Sequence, residues 1–300
     1  MNISPALAGL VLAVCLIGAA PADAAAQDQE YVLPQTTSTD FNSILNNRSA
    51  QVTVFEYAGR SLIRIIDFPT LAEQGRMFNR VVALIERIGA PRERVLTNEE
   101  LARFIRSVGK TENTFAYGND FLVAELVVFF NLADLGGIPL NAEEIALRRF
   151  LTEQRLITYR NGFYQSITPQ AVILSIPQET DGSRGGPPVS ALARRTILTH
   201  EISHAEFYTN PLYANYCRQF WRNVLTEEQR TAFRKFLSKS SYNPNNEEMM
   251  VNESQAYLIY TPDPRAFNAK LLGLREKDIE NLRTKFWAGF PDAPLAELRK

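Results

Sequence analysis

The chain has 300 residues, of which 45% are hydrophobic, enough to bury one large core or two smaller ones. Lys plus Arg total 32 and Asp plus Glu total 33. Because neither sign is in excess, the surface has no broad field of one charge to attract nucleic acid or an anionic membrane. The composition therefore predicts a globular protein and argues against nucleic-acid binding.

The N-terminus has the features of a secretory signal peptide. Residues 6–20 are an unbroken apolar run, and Ala-x-Ala cleavage sites follow it. We predict a signal peptide at residues 1–26, with cleavage after Ala24 or Ala26 and a secreted or periplasmic location. An uncleaved anchor is the alternative, because no Lys or Arg precedes the apolar run. No later stretch is long and apolar enough to span a bilayer, so we expect no stable membrane insertion after cleavage.

The next segments predict a lead-in followed by a β-hairpin. Residues 27–50 are polar and without periodicity, which indicates a flexible lead-in. Two apolar runs at 52–55 and 62–66 are separated by a short Gly-containing turn, the pattern of a hairpin. We therefore predict an N-terminal region at 51–155, made of this hairpin and the helices that follow it.

Helical signals continue to residue 155. Apolar residues recur at helical spacing from 71 to 88, and later helices are marked by residues that cap a helix N-terminus. The predicted capping residues are Thr97 with Glu100, Asn119 or Asp120 for a helix that runs to Leu135, and Asn141 with Glu144.

The second region, residues 156–300, begins with β-structure and ends in helices. Asn161-Gly162 predicts a tight hairpin turn, and residues 171–176 are a β-branched apolar run that predicts a strand. Residues 179–188 are rich in Gly, Pro and Ser and predict a loop, and helical patterns resume at Ser190. The predicted fold class is α+β, mostly helical, with a small sheet before the helix that carries the site described next.

That helix contains His200-Glu201-Ile202-Ser203-His204, an HExxH motif. A spacing of four residues places both imidazoles on one helical face, where they can bind one zinc ion. Glu201 is rotated by about 100° from His200, so it can reach a metal-activated water as a general base. The chain has only 2 histidines, both in the motif, which argues against a chance match. We predict His200 and His204 as zinc ligands and Glu201 as the catalytic base.

A third protein ligand must be a carboxylate or Cys217, because no histidine remains. Glu227 and Glu228 stand at a predicted helix start, where acidic residues are favoured by capping and by the helix dipole. Glu253 instead lies among apolar residues at helical spacing, on a face that should be buried. Because a buried carboxylate needs compensation, which a zinc ion provides, we predict Glu253 as the third ligand.

HExxH together with Asn252-Glu253 on a later helix resembles the gluzincin class of zinc metallopeptidases, which are thermolysin-like in plan, and the whole chain resembles exported bacterial proteins. The resemblance implies a zincin-like pair of active-site helices and cleavage of a peptide or protein substrate by a zinc-activated water. The family has an aspartate that orients a histidine ligand where this chain has Tyr257, which leaves the partners of the histidines open. The strand at 171–176 is expected either to pair with an extended peptide, as similar enzymes do, or to be an ordinary core strand. The tyrosines that could stabilise an oxyanion are Tyr208, Tyr213, Tyr216, Tyr257 and Tyr260.

Two other functions stay open at this stage. One is a non-catalytic, exported, zinc-stabilised binding or scaffold protein, and the other is a zinc amidase that acts on cell-wall material. Glu201 argues against the scaffold, because a structural zinc site has four protein ligands and needs no base. A serine or cysteine hydrolase is disfavoured, because it would need a histidine base and the motif uses both histidines.

Overall fold

The computed structural model describes residues 30–184, 186–240 and 242–290, and the predicted signal peptide at 1–26 lies outside them. The described residues from Tyr31 onward form one compact unit. Helices and a small mixed sheet make up this unit, which confirms the α+β, mostly helical fold class. Within the described ranges, no helix combines the length and apolar character needed to cross a membrane.

The elements are numbered in chain order. The strands are β1 Thr37–Thr39, β2 Thr53–Tyr57, β3 Ile63–Phe68, β4 Asn119–Leu122, β5 Ile157–Arg160, β6 Phe163–Ser166 and β7 Val172–Pro177. The helices are α1 Phe41–Leu45, α2 Leu71–Ile85, α3 Asn98–Ser107, α4 Val123–Leu135, α5 Ala142–Glu153, α6 Ala191–Thr209, α7 Pro211–Asn223, α8 Glu227–Lys239, α9 Glu247–Tyr260, α10 Ala269–Leu272 and α11 Glu276–Gly289.

The main sheet has five strands in the order β1-β2-β3-β7-β4, and β5 and β6 form a separate hairpin. Strand β7 runs parallel to β3 and antiparallel to β4, and all six of its residues are buried. Leu174 faces a core that includes α6 and α9, and Ile173 faces a core that includes α2 and α4. Helices cover both faces of β7, which explains its unbroken apolar sequence.

The position of β7 excludes it as a binding edge for a peptide. Both of its edges are already hydrogen-bonded, one to β3 and one to β4. The expectation that residues 171–176 pair with an extended peptide is therefore wrong, and the alternative, a core strand, is confirmed. Among the described residues β4 pairs only with β7, so β4 is an edge strand of the sheet.

Several local predictions are confirmed. Strands β2 and β3 form the expected antiparallel hairpin. The side chains of Thr97 and Asn141 cap α3 and α5, each in a capping box with a glutamate three residues later. Asn161 and Gly162 have φ values of 54° and 84°, as the turn between β5 and β6 requires. These features depend on neighbouring residues, which is why the local sequence predicts them.

The predicted helix cap at Asn119 or Asp120 is wrong. Residues 119–122 form β4, and the helix begins only at Val123. Asn119 donates from Nδ2 to Ser175 Oγ on β7 at 2.6 Å, and Phe121 stacks on Phe78 in the core. Pairing with a distant strand therefore overrides the local capping preference of these polar residues.

The flexible lead-in predicted for residues 27–50 is also wrong from Thr37 onward. Strand β1 pairs in parallel with β2, and Phe41 and Ile44 of α1 are 2% and 0% exposed. The segment is ordered by contacts with residues far along the chain, which its polar composition does not reveal. The main sheet also spans the predicted boundary between residues 155 and 156, because β7 lies between β3 and β4.

Candidate metal centre

Two packed helices, α6 and α9, hold the centre. Ser190 caps α6 by accepting a hydrogen bond from Ala193 N, and no Pro or Gly interrupts the 19 residues that follow. A hydrogen bond links α6 to the end of α9: Thr199 Oγ1 donates to the carbonyl of Tyr260 at 2.7 Å. This contact lies next to His200 and helps to hold the two helices together at the site.

The predicted ligand residues come together. His200 Nε2 and His204 Nε2 are 3.0 Å apart, and each lies 3.8 Å from Glu253 Oε2. Two donor atoms at about 2.1 Å from one ion in tetrahedral geometry are roughly 3.4 Å apart. One of the three observed distances is shorter than this value and the other two are longer. The three atoms therefore fit one small divalent cation.

Glu253 gives a second indication that the site suits a cation. Its residue is 7% exposed, and Oε2 is buried without a hydrogen-bond partner among the described residues. Burial raises the pKa of Glu253 to about 7, and His204 acts in the opposite direction. An unpaired carboxylate oxygen that faces two imidazole nitrogens costs free energy unless a proton or a metal cation joins them. The residues present therefore fit a metal ion.

A buried network orients His204. Its Nδ1 lies 2.9 Å from Asn252 Oδ1, and this oxygen also accepts a hydrogen bond from Gln255 Nε2 at 3.2 Å. The amide orientation of Gln255 is set in turn by Tyr213, whose hydroxyl donates to Gln255 Oε1 at 2.6 Å. Since Asn252 Oδ1 can only accept, His204 Nδ1 carries the proton and Nε2 keeps its lone pair for a metal.

His200 is oriented in the same way by a hydroxyl group. Its Nδ1 lies 2.9 Å from Thr261 Oγ1, and the Thr261 hydroxyl donates to the carbonyl of Ala256 at 3.0 Å. Because the hydroxyl proton of Thr261 is donated to Ala256, its oxygen accepts a hydrogen bond from His200 Nδ1. The proton of His200 is therefore on Nδ1, and Nε2 keeps the lone pair that a metal needs. Burial and the neighbouring His204 hold the pKa of His200 well below its usual value, so the ring is neutral as a ligand must be.

Asn252 and Thr261 thus fill the orienting role that the sequence left open at Tyr257. The ring of Tyr257 lies beside His200 instead, with centroids 4.8 Å apart. Asn252 precedes Glu253 and is 5% exposed. Its position directly before the predicted ligand Glu253 is a signal in the sequence that could have indicated this role, whereas Thr261 lies beyond the end of α9 and had no such signal.

Glu201 lies beside the predicted ligands, and an oxygen of its carboxyl group is within 4.8 Å of a carboxylate oxygen of Asp120 on β4. Burial, followed by the negative charges of Asp120, Glu253 and Glu86, raises the pKa of Glu201 well above its usual value. Burial and then Glu125 raise the pKa of Asp120. A divalent cation at the site acts in the opposite direction, because positive charge favours the carboxylate form. Asp120, Glu201 and His204 form a second possible donor group, with ligand atoms within 4.8 Å of one another.

Two cavities meet at His200 and Glu201. The first, of about 300 Å³, which we call the acidic cavity, has several carboxylates in its wall and no Lys or Arg among its described lining residues. The second, of about 520 Å³, is lined partly by Phe104, Val108 and Phe115. The carboxylate residues of the acidic cavity are Glu86, Asp120, Glu125, Glu201, Glu248 and Glu253.

The other candidates from the sequence are distributed around this centre. Tyr208 lines the acidic cavity and Tyr257 the second cavity, and Tyr242, which the sequence analysis missed, lines both. Cys217 is buried in the apolar core. The remaining candidates, which line neither cavity, are Tyr213, Tyr216, Tyr260, Glu227 and Glu228.

Comparison of the chain with known protein families, with curated proteins and with solved structures finds no match. The function is therefore argued from the geometry of the site.

Proposed function

We propose that the protein is a metal-dependent hydrolase. The observation that carries this proposal is the convergence of His200 Nε2 and His204 Nε2 on Glu253 Oε2, with Glu201 beside them. This oxygen is buried and has no hydrogen-bond partner among the residues that the structure describes. A structural metal site has four protein ligands. Here three side chains converge next to a cavity, so a metal ion held by them would keep a position for water or substrate.

More particularly, we propose a zinc peptidase of gluzincin type, exported through its N-terminal segment. Two imidazoles and one carboxylate are a donor set that catalytic zinc uses. Bound zinc supplies a Lewis acid that polarises a substrate carbonyl and makes a water molecule more acidic. The packing of α6 against α9 supports this proposal, because the resemblance implies a pair of active-site helices.

The chain's own residues perform the proton transfer. Glu201 accepts a proton from the attacking water and returns it to the leaving amine. Asn252 and Thr261 keep the imidazoles neutral at Nε2 and fixed in orientation. The low exposure of Glu201, 7%, keeps bulk water from competing for the transferred proton.

The edge strand β4 favours a peptide as substrate. Asp120 of β4 and the preceding Gly118 line the acidic cavity, so this edge of the sheet borders the metal centre. An extended peptide can add to such an edge by backbone hydrogen bonds, with alternate side chains directed to either face. The substrate peptide is therefore proposed to pair with β4 and not with residues 171–176.

The proposal is tested by Glu201→Gln in the mature protein, assayed against a panel of peptides and cell-wall fragments. Glutamine has the same size but cannot accept the proton, so hydrolysis should fall by about two to four orders of magnitude while bound zinc, measured by mass spectrometry, is retained. Glu227→Gln, on an exposed helix start, is the matched control and should stay fully active. Equal rates for Glu201→Gln and the unaltered protein would exclude Glu201 as the base and favour the scaffold. Activity on cell-wall fragments alone would favour the amidase.

A further inference from the structure

Gly118, next to β4, stands in unusually close contact with Glu201. A Cβ atom built at this position would lie 2.7 Å from Ile197 Cγ2 and 2.8 Å from Glu201 Cδ, and it would overlap Glu201 Oε1. Real Cβ atoms essentially never approach other heavy atoms to less than 3.0 Å. The backbone of Gly118 is not in the left-handed region, so the need for glycine here is one of space around Glu201.

The groups around Gly118 differ in how easily they can move. Residue 118 immediately precedes β4, which is hydrogen-bonded to β7 and cannot shift without disturbing the sheet. Ile197 belongs to the long helix α6, and its side chain packs against the core. The Glu201 carboxyl group is the end of a flexible side chain, so it would give way first. A side chain at 118 would therefore displace the carboxylate more readily than it would unfold the protein.

We propose that Gly118 is a positioning residue for Glu201: its missing side chain is the space in which the carboxylate is held between β4 and α6. This inference rests on the proposed function, in which Glu201 is the general base. Asp120, two residues further on, has a carboxylate oxygen within 4.8 Å of the Glu201 carboxyl group, so it borders the same space. The start of β4 thus determines the position of the Glu201 carboxylate. None of the proposed metal ligands, His200, His204 and Glu253, belongs to this segment.

The test is Gly118→Ala in the zinc-loaded mature protein. Because displacement of a catalytic group by about 1 Å can cost on the order of 100-fold in rate, kcat should fall by roughly this factor. The KM and the zinc content should change little, since the ligands are not touched. A kcat within threefold of the unaltered protein, or loss of zinc together with activity, would overturn the proposal.

Gly289→Ala is the matched control for steric strain. A Cβ there would meet the Tyr216 hydroxyl at 2.6 Å, and Tyr216 lines neither cavity of the site. This variant should lose some thermal stability and keep the kcat of the folded protein. If Gly118→Ala does not fold, the double variant Gly118→Ala with Ile197→Ala removes the contact with Ile197 and leaves the contact with Glu201. Full kcat in this double variant, compared with Ile197→Ala alone, would equally overturn the proposal.

A crystal structure of zinc-loaded Gly118→Ala gives a readout that does not depend on hydrolysis. The Glu201 carboxylate should be displaced by about 1 Å or more with the zinc ligands in place. An unmoved carboxylate would overturn the inference about Gly118. If the carboxylate moves but Glu201→Gln hydrolyses as fast as the unaltered protein, the proposed function has failed and the contact between Gly118 and Glu201 stands.

Discussion

At the scale of single residues, both imidazoles of the metal centre have one ring nitrogen committed to a protein acceptor. Asn252 accepts from His204, and Thr261 accepts from His200. Both acceptors are themselves held by further hydrogen bonds, from Gln255 to Asn252 and from Thr261 to Ala256. The orientation of the ligands is therefore set before any metal binds, which reduces the entropy lost on binding.

This network predicts the effect of Asn252→Leu. Leucine has a similar volume but cannot accept the proton of His204 Nδ1, so zinc affinity should fall by about 10- to 100-fold, as for other orienting partners of metal ligands. Competition with a chelating dye measures the affinity. Asn223→Leu, on an exposed face of α7, is the control and should bind zinc like the unaltered protein. Unchanged affinity for Asn252→Leu would show that the hydrogen bond to His204 does not orient the ligand.

At the scale of elements, Arg194 of α6 joins three other parts of the fold. Its guanidinium donates to both carboxylate oxygens of Asp67 on β3, at 2.8 and 2.9 Å, and to the carbonyl of Pro177 at the end of β7. It also donates to the carbonyls of Ile44 and Leu45 of α1. Arg194 and Asp67 are both 0% exposed. This buried pair ties the helix that carries HExxH to the sheet and to the N-terminal segment.

Removing only one partner of the pair should be costly. Arg194→Met should lower the free energy of unfolding by about 3–5 kcal/mol, because it leaves the Asp67 carboxylate buried and unpaired. Urea denaturation measures this change. Arg194→Met combined with Asp67→Leu should recover part of the loss, since neither charge then remains buried. Equal stabilities for the single and the double variant would show that the charge of Asp67 is not the cause.

At the scale of the whole molecule, the acidic cavity collects negative charge from separate elements. Asp120 comes from β4, Glu125 from α4, Glu201 from α6 and Glu253 from α9, and Glu86 follows the end of α2. Like charges brought together in a partly buried site oppose folding unless protons or a cation neutralise them. Under the proposed function, a bound metal ion would therefore add to stability as well as supply chemistry.

Metal removal should accordingly lower the melting temperature. Free zinc at about 1,000 times its Kd stabilises the folded state by roughly 4 kcal/mol, so chelation should lower the Tm by several degrees and added zinc should restore it. Calorimetry with and without chelator measures the difference. Glu253→Ala should abolish most of it, whereas Glu227→Ala and Glu228→Ala should leave it intact. If Glu253→Ala shows the full zinc-dependent change in Tm, Glu253 is not a metal ligand.

Features that depend on neighbouring residues were predictable from the sequence. The spacing of His200 and His204 determines that both rings share a face of α6, and the apolar surroundings of Glu253 indicated its burial on α9. Helix caps such as Thr97 and the turn at Asn161 follow from local hydrogen bonding and backbone conformation. These interactions form within a few residues, so the local sequence contains the information that they need.

What only the tertiary structure decided depends on residues far apart in the chain. Residues 119–122 became a strand because β7, more than fifty positions later, pairs with them. Contacts with Arg194 ordered α1, which composition alone suggested was flexible. The positions of Asp120 and Gly118 beside Glu201 follow from that strand pairing. The sequence by itself determined which side chains could bind a metal and supply a base, but long-range pairing, which no local pattern encodes, decided what surrounds them.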